Sequence, residues 1–127
     1  MPEWVINHVS VTGEESYVDS LVHAVANHSQ DLVFDFNRII PMPSWVHEKP
    51  WKGPYRQDPF DWRERHWGTS RNADLIHWKR DLDIAEYTFH TAWIPPDKVA
   101  RELRELFPAL QITWSCTFPG KSNPLDI

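Results

Sequence analysis

The chain has 127 residues, of which 41% are hydrophobic, and its 13 basic and 18 acidic residues give a formal net charge of −5. That is one domain's length with enough apolar residues for a core, which excludes a disordered tail. The negative charge argues against a globally basic nucleic-acid binder. The only cysteine, Cys116, excludes a disulfide framework and a thiolate zinc site. The unusual number is eight tryptophans.

The N-terminal segment Met-Pro-Glu-Trp has no basic stretch followed by an apolar one, so it does not resemble a secretion signal. No apolar run approaches the roughly 20 residues that a membrane-spanning helix needs. We therefore expect a cytoplasmic protein without a membrane partner.

The first forty residues predict two strands and a helix. Residues 4–11 are rich in β-branched side chains, as in a strand whose alternate residues face a core. Thr12 and Glu15 match a capping box, which would start a helix over 14–28. Apolar and polar residues alternate over 32–40, which predicts a second strand.

The next segment, residues 41–71, has no strong periodicity and is rich in proline and tryptophan. Connections of this length are usually functional or disordered, and the aromatic density argues against disorder. We therefore predict an ordered insertion with a short helix near 58–66. Its own tryptophans would pack it against the domain: Trp45, Trp51, Trp62 and Trp67.

The remaining chain predicts a hairpin, a helix and a last strand. Residues 73–80 and 85–93 read as the two hairpin strands. A helix would begin at Pro95-Pro96-Asp97, because proline and aspartate suit a first turn, and end near Phe107 before a proline. Residues 110–118 predict a strand, and 121–127 a polar tail.

One face of the second hairpin strand would carry four large or polar side chains: Tyr87, Phe89, Thr91 and Trp93. The element order is β-α-β, a long insertion, then β-β-α-β. It predicts an α+β sandwich of the ferredoxin-like type, with an antiparallel sheet of four to five strands and two helices on one face. We expect a single domain over 1–120 that carries the insertion 41–71.

The charge is distributed unevenly. Residues 47–80 contain eight basic and five acidic residues, a local charge of +3, whereas the rest of the chain carries −8. Two interpretations are open for this Trp-rich basic segment. Its tryptophans staple a solvated insertion to the domain, or its Trp, Arg and His side chains form a recognition surface, since such residues dominate binding hot spots.

Catalytic and metal-binding patterns are absent from the sequence. His77 and His90 could meet across the hairpin, but two histidines without a nearby thiolate or carboxylate are weak evidence for a metal. No serine or cysteine lies in a nucleophile motif, and no glycine-rich phosphate loop occurs. Cys116 reads as a packing residue. The sequence therefore leans away from an enzyme and indicates no cofactor.

The densest candidate binding segment is Asp61 to Thr69, in which two tryptophans flank two arginines and a histidine. The indoles could anchor the segment, while the cationic side chains hold an anion, a carboxylate or a base. With neighbouring strand residues added, the candidate binding residues are Trp62, Arg63, Arg65, His66, Trp67, Arg71, Trp78 and His90.

Five segments resemble the YubB-like ferredoxin-fold proteins of phages and plasmids: MPEWVINHVSVTG, FDFNRIIPMP, WRERHWGTSRNA, YTFHTAWIPPDKV and LFPALQITW. The resemblance spans roughly residues 1–118, and its WGT and TAWxPP segments are the most specific. It implies the ferredoxin-like fold and an origin in a bacterial mobile element. The family has no established activity, so the resemblance implies no catalytic residues.

Small size, an acidic body and the mobile-element resemblance favour a non-enzymatic protein that binds a host protein or complex. Such a protein could act as an anti-defence, anti-CRISPR-like inhibitor, since an acidic surface can occupy a nucleic-acid cleft of its target.

Two other functions stay open. One is single-stranded nucleic-acid binding on the open sheet face and the basic insertion, with Trp78 and Trp114 as candidates for stacking on bases. The other is a small-ligand or nucleotide binder, or an unrecognised nucleotide-processing enzyme, with Arg63, Arg65 and His66 holding a phosphate. An exposed edge strand could also favour a homodimer.

Overall fold

A computed structural model describes residues 3–47 and 59–127. Its strands are β1 (Trp4–Thr12), β2 (Asp74–Arg80), β3 (Ile84–Ala92), β4 (Gln111–Thr117) and β5 (Leu125–Asp126). Its α-helices are α1 (Glu15–Val25), α2 (Phe36–Ile39), α3 (Pro59–His66) and α4 (Asp97–Leu106). Short 3-10 turns cover His28–Gln30 and Ser44–His47.

The strands form one antiparallel sheet in the order β2-β3-β1-β4-β5. The central strand β1 pairs on both sides, so that Val9 lies between Tyr87 of β3 and Trp114 of β4. The α+β class and the antiparallel sheet are thus confirmed. The finer assignment to the ferredoxin-like type stays a prediction.

One face of the sheet carries the core. Alternate residues of β1 are buried on this face, including Val5 and Val9. They belong to the same apolar cluster as Leu21 of α1 and Leu103 of α4, so both helices cover this one face. The predicted β1 pattern, the β2–β3 hairpin, α4 and β4 are confirmed within one or two residues at their ends.

The side-chain amide of Asn7 is buried in the apolar core. Asn7 donates through Nδ2 to the hydroxyl of Thr91 at 2.9 Å, and its Oδ1 accepts from Trp114 Nε1 at 3.1 Å. Oδ1 also lies 3.2 Å from the thiol of Cys116, which is fully buried as a packing residue should be. The network therefore satisfies polar groups that burial would otherwise penalise.

The predicted capping box is wrong. Thr12 is the last residue of β1 and pairs with Ile84, so it does not cap a helix. Glu14 occupies the N-cap without a side-chain hydrogen bond, and α1 ends at Val25 rather than near residue 28.

The predicted strand over 32–40 is also wrong. Asp35 accepts a hydrogen bond from the backbone N–H of Asn37 at 2.9 Å and thereby caps α2. The Asn72 side chain accepts the N–H of Phe36 at 2.9 Å. These side chains satisfy the backbone locally, which replaces a strand ladder. The alternation of apolar and polar residues nevertheless predicted burial correctly, since Phe34 and Phe36 both lie in the core.

The C-terminal segment contributes a strand to the sheet, and the insertion contains a helix. The predicted polar tail contains β5, which pairs with β4 through Leu125 and Cys116 and supplies the fifth strand. The predicted short helix of the insertion is confirmed as α3. Residues 48–58, including Trp51, lie outside the described residues. Within 3–47 and 59–127, none of the helices combines the length and apolar character that crossing a bilayer requires.

Candidate functional site

The predicted binding segment forms a buried aromatic staple with charged groups on both sides. Trp62 and Trp67 are buried, and their rings meet edge to face at 5.9 Å. Trp67 also donates its indole N–H to the carbonyl oxygen of Ile40 at 2.9 Å and contacts Phe36 in the core. These two tryptophans therefore hold the segment on the domain, and both are almost fully buried.

One side of α3 faces an aromatic cleft of about 400 Å³. His66 stacks on the Trp62 ring, with centroids 4.3 Å apart. The imidazole also donates from Nδ1 to the Trp62 carbonyl oxygen at 2.9 Å, which fixes the ring in place. The described residues that line the cleft are Ile40, Pro41, Pro43, Trp45, Asp61, Trp62, Arg65 and His66.

The other side of α3 faces a polar cavity of about 360 Å³. Arg63 and Arg71 line it, so the helix and the loop after it divide the predicted arginines between two cavities. Arg63 donates to the carbonyl oxygen of Ser70 at 3.1 Å, and the Arg71 guanidinium lies 5.9 Å from the centre of the Trp4 ring.

The last two predicted residues lie apart from this region. Trp78 stacks on Tyr87 at 6.1 Å and is on the helix-covered side of the sheet. His90 is on the open face, 5.9 Å from the Trp4 ring. It pairs with Asp74, whereas His77 pairs with Thr88, so the two histidines are not directly opposed.

The predicted placement of Trp78 and Trp114 on the open sheet face is wrong, although Trp78 is 38% exposed on the helix-covered side. Trp114 is completely buried, and both tryptophans point towards the helices, because Tyr87 and the buried Val9 oppose them across the sheet. Binding of single-stranded nucleic acid stays a prediction. Within the described ranges, three or more His, Cys, Asp or Glu side chains nowhere cluster as a metal site.

A strained turn that the sequence patterns do not predict lies between β3 and α4, and we call it the Trp93 turn (residues 92–94). Trp93 has a positive φ of 69°, and the N–H of Ile94 donates to the carbonyl oxygen of Ala92 at 2.8 Å. This is a γ-turn of the rare, strained kind. A bulky residue at positive φ is an outlier that costs about 1–3 kcal/mol.

The Trp93 turn presents apolar side chains to solvent. Trp93 is 55% exposed and Ile94 47% exposed. The alternation in β3 predicted Trp93 on the same face as Tyr87 and Phe89, which is wrong because the strand ends at Ala92. The signal that could have marked the turn is the pair of prolines that follows Ile94, since a central strand does not tolerate them.

Hydrogen bonds hold the Trp93 turn in place. The hydroxyl of Thr91, fixed by Asn7, donates to the carbonyl oxygen of Ile94 at 3.0 Å. The hydroxyl of Thr69 donates to the carbonyl oxygen of Ala92 at 2.8 Å, and both threonines are fully buried. The N–H of Trp93 donates to the carbonyl oxygen of Glu3 at 2.8 Å.

The loop after α3, which we call the Gly68 loop (residues 67–73), packs directly against the turn. Gly68 has a φ of 95°, and a Cβ atom at this position would collide with the side chain of Asp97. The structure thus joins the WGT and TAWxPP segments, which are distant in sequence. Together they form one end of the sheet, with Trp93 at its tip.

Comparisons with known proteins leave the family open. No family model, curated protein or solved structure matches this chain. The resemblance to YubB-like proteins therefore stays a prediction.

Proposed function

We propose that this protein is a non-enzymatic binding protein that attaches to a host protein through the Trp93 turn. The observation that carries the proposal is a strained γ-turn that holds Trp93 and Ile94 in solvent. Strain of this kind persists only where the surrounding structure imposes it, and it concentrates at functional sites. Three hydrogen bonds impose it here: Thr69 and Thr91 donate to the turn, and the N–H of Trp93 donates to the carbonyl oxygen of Glu3.

The shape and chemistry of the tip fit a protein partner. A rigid indole beside an isoleucine is suited to fill an apolar pocket, and tryptophan is enriched among interface hot spots. The chain outside residues 47–80 carries a formal charge of −8. Two acidic residues lie close to the turn: Glu3 accepts the N–H of Trp93 through its carbonyl oxygen, and Asp97 follows the turn closely in the sequence. We therefore expect a partner whose apolar pocket has a basic rim. An inhibitor of a nucleic-acid-handling host machine fits this description.

The test compares three tagged baits in a bacterial lysate: the natural chain, Trp93→Gly and Leu82→Ala. Glycine keeps the turn, since it tolerates positive φ, but removes the indole. Leu82 is a matched exposed apolar residue, 67% exposed on the β2–β3 turn. We expect one specific protein with the natural chain and with Leu82→Ala, and its loss with Trp93→Gly.

The isolated partner then allows affinity measurements. Truncation of a hot-spot tryptophan costs about 2 kcal/mol or more, roughly a 30-fold rise in Kd. A basic rim on the partner would make association slower at high salt. Recovery of no specific partner, or equal recovery with all three baits, would overturn the proposal.

A further inference from the structure

The polar cavity is a built site that the proposed function does not use. Most of its lining side chains are polar, and two of them are guanidinium groups, those of Arg63 and Arg71. Its volume of about 360 Å³ is at the lower end of the range for small-molecule sites. The cavity therefore has room for a small ligand.

The wall of the cavity is organised around a buried carboxylate. Asp35 is only 2% exposed and accepts hydrogen bonds from the side chains of Asn27 at 2.9 Å and Asn72 at 2.7 Å. It also accepts the backbone N–H of Asn37 at 2.9 Å. These bonds fix the wall in advance, which reduces the cost of ordering it around a ligand.

The remaining hydrogen-bonding capacity of the wall favours an acceptor ligand. Asn37 uses its Oδ1 to accept the N–H of Met42 at 2.6 Å, so the end of its side chain that can serve a ligand is the donor Nδ2. Asp35 already has three donors directed at it. A ligand rich in oxygen acceptors therefore suits this wall better than one rich in donors.

The charged groups favour an anion. Two guanidinium groups and one carboxylate give the lining a net charge of +1 in a chain whose formal charge is −5. The guanidinium carbon of Arg71 lies 5.9 Å from the centre of the Trp4 ring, within the range of a cation–π contact. A planar fork of donors matches the oxygens of phosphate.

We propose that the polar cavity binds a phosphate group, either inorganic phosphate or the phosphate of a small monoester. Arg71 supplies the principal charged contact, and the amides of the wall supply further donors. The site is separate from the tip of the Trp93 turn, so the two proposals succeed or fail independently.

Isothermal titration calorimetry of the full chain tests the site with two probes, inorganic phosphate and adenosine 5′-monophosphate, at constant ionic strength. We expect saturable binding with a Kd below about 1 mM. Tighter binding of the nucleotide identifies a monoester as the natural source, whereas equal or weaker binding of it identifies free phosphate. Absence of saturable binding for both probes would overturn the proposal.

Three variants assign the binding to the cavity. Arg71 is exposed, so Arg71→Gln should keep the fold while weakening phosphate binding at least tenfold. Arg71→Lys should lose less affinity for phosphate because lysine keeps the charge. Arg101→Gln removes the same charge from the exposed face of α4 and should bind within twofold of the natural chain. Equal losses in Arg71→Gln and Arg101→Gln, or no loss in Arg71→Gln, would contradict the assignment. Trp93→Gly should leave phosphate binding unchanged.

Discussion

The hydroxyl of Thr69 donates a 2.8 Å hydrogen bond to the carbonyl oxygen of Ala92, with Thr69 fully buried. This bond joins the Gly68 loop to the first residue of the Trp93 turn. The loop itself is anchored in the core by Trp67. The position of the exposed indole therefore depends on a segment that begins more than twenty residues earlier in the chain.

Substitution of Thr69 by valine tests this connection. Thr69→Val keeps the shape but removes one of the two donors to the Ala92 carbonyl oxygen, which still accepts the N–H of Ile94, so the loss is that of one hydrogen bond, about 1 kcal/mol. We expect that loss in the free energy of unfolding from urea denaturation, while Thr69→Ser, which retains the hydroxyl, loses less. A valine variant as stable as the natural chain would show that the bond does not stabilise the fold.

Because the backbone at Trp93 is strained, we expect glycine to be more stabilising than alanine at this position, the reverse of the usual order. At φ 69° an L-residue with a Cβ atom pays about 1–2 kcal/mol that glycine avoids. We therefore expect Trp93→Gly to be more stable than Trp93→Ala by about 1 kcal/mol in urea denaturation. Leu82 has no positive φ, so Leu82→Gly should be no more stable than Leu82→Ala. Alanine more stable than glycine at position 93 would refute the strained turn.

Alanine substitutions at Gly68 and Gly120 distinguish the cost of a steric clash from the cost of backbone strain. Both have positive φ, but a Cβ atom at Gly68 meets Asp97, whereas one at Gly120 has open space around it. Gly120→Ala should therefore cost about 1 kcal/mol for the backbone alone. Gly68→Ala should cost more, because the Asp97 carboxylate has to rotate away and the backbone of Pro95 and Asp97 lies only 3.1–3.2 Å from the new methyl group. Similar losses in the free energy of unfolding would argue against close packing of the Gly68 loop on Asp97.

Periodicity predicted the parts of the fold that bury one regular face. Val5, Val9 and Val11 recur every second residue, and the structure buries all three. The same rule failed at Phe34 and Phe36, which are buried two residues apart without forming a strand. Burial at that spacing is not sufficient for a strand, because local capping by Asp35 competes with strand pairing.

The candidate site was only partly predictable. Trp62 and Trp67 were recognised as a possible staple, and the basic segment as a candidate surface. The γ-turn at Trp93 was not predicted, because its conformation depends on hydrogen bonds with Thr69 and Glu3, which are remote in sequence. The buried carboxylate of Asp35 was missed for the same reason, since one of its partners is Asn72.

Tyr87 has a buried hydroxyl that lacks a hydrogen-bond partner among the described residues. Burial raises the pKa of this phenol, and the nearby Arg80 opposes the rise. Removal of an unsatisfied buried polar group is neutral or stabilising. We therefore expect Tyr87→Phe to raise the free energy of unfolding by about 1 kcal/mol in urea. A loss of stability would mean that the hydroxyl has a partner, such as a bound water.

The thiol of Cys116 predicts a loss of stability at high pH. Burial raises the pKa of this thiol from 9.0 to about 12, so the folded state favours the neutral form more than the unfolded state does. The stabilisation is fully present below pH 9 and is lost as the pH rises from 9 to 12, at a limiting slope of about 1.4 kcal/mol per pH unit.

Cys116→Ser is the matched variant for this prediction, because serine does not titrate in this range and can still donate to Asn7, as the thiol does at 3.2 Å. Urea denaturation at pH 8 and pH 10 should show that the natural chain loses more stability than the variant, by about 1 kcal/mol. Other groups titrate equally in both chains and cancel in the comparison. Parallel pH profiles would mean that Cys116 reaches solvent on ionisation, which its complete burial under α1 and α4 argues against.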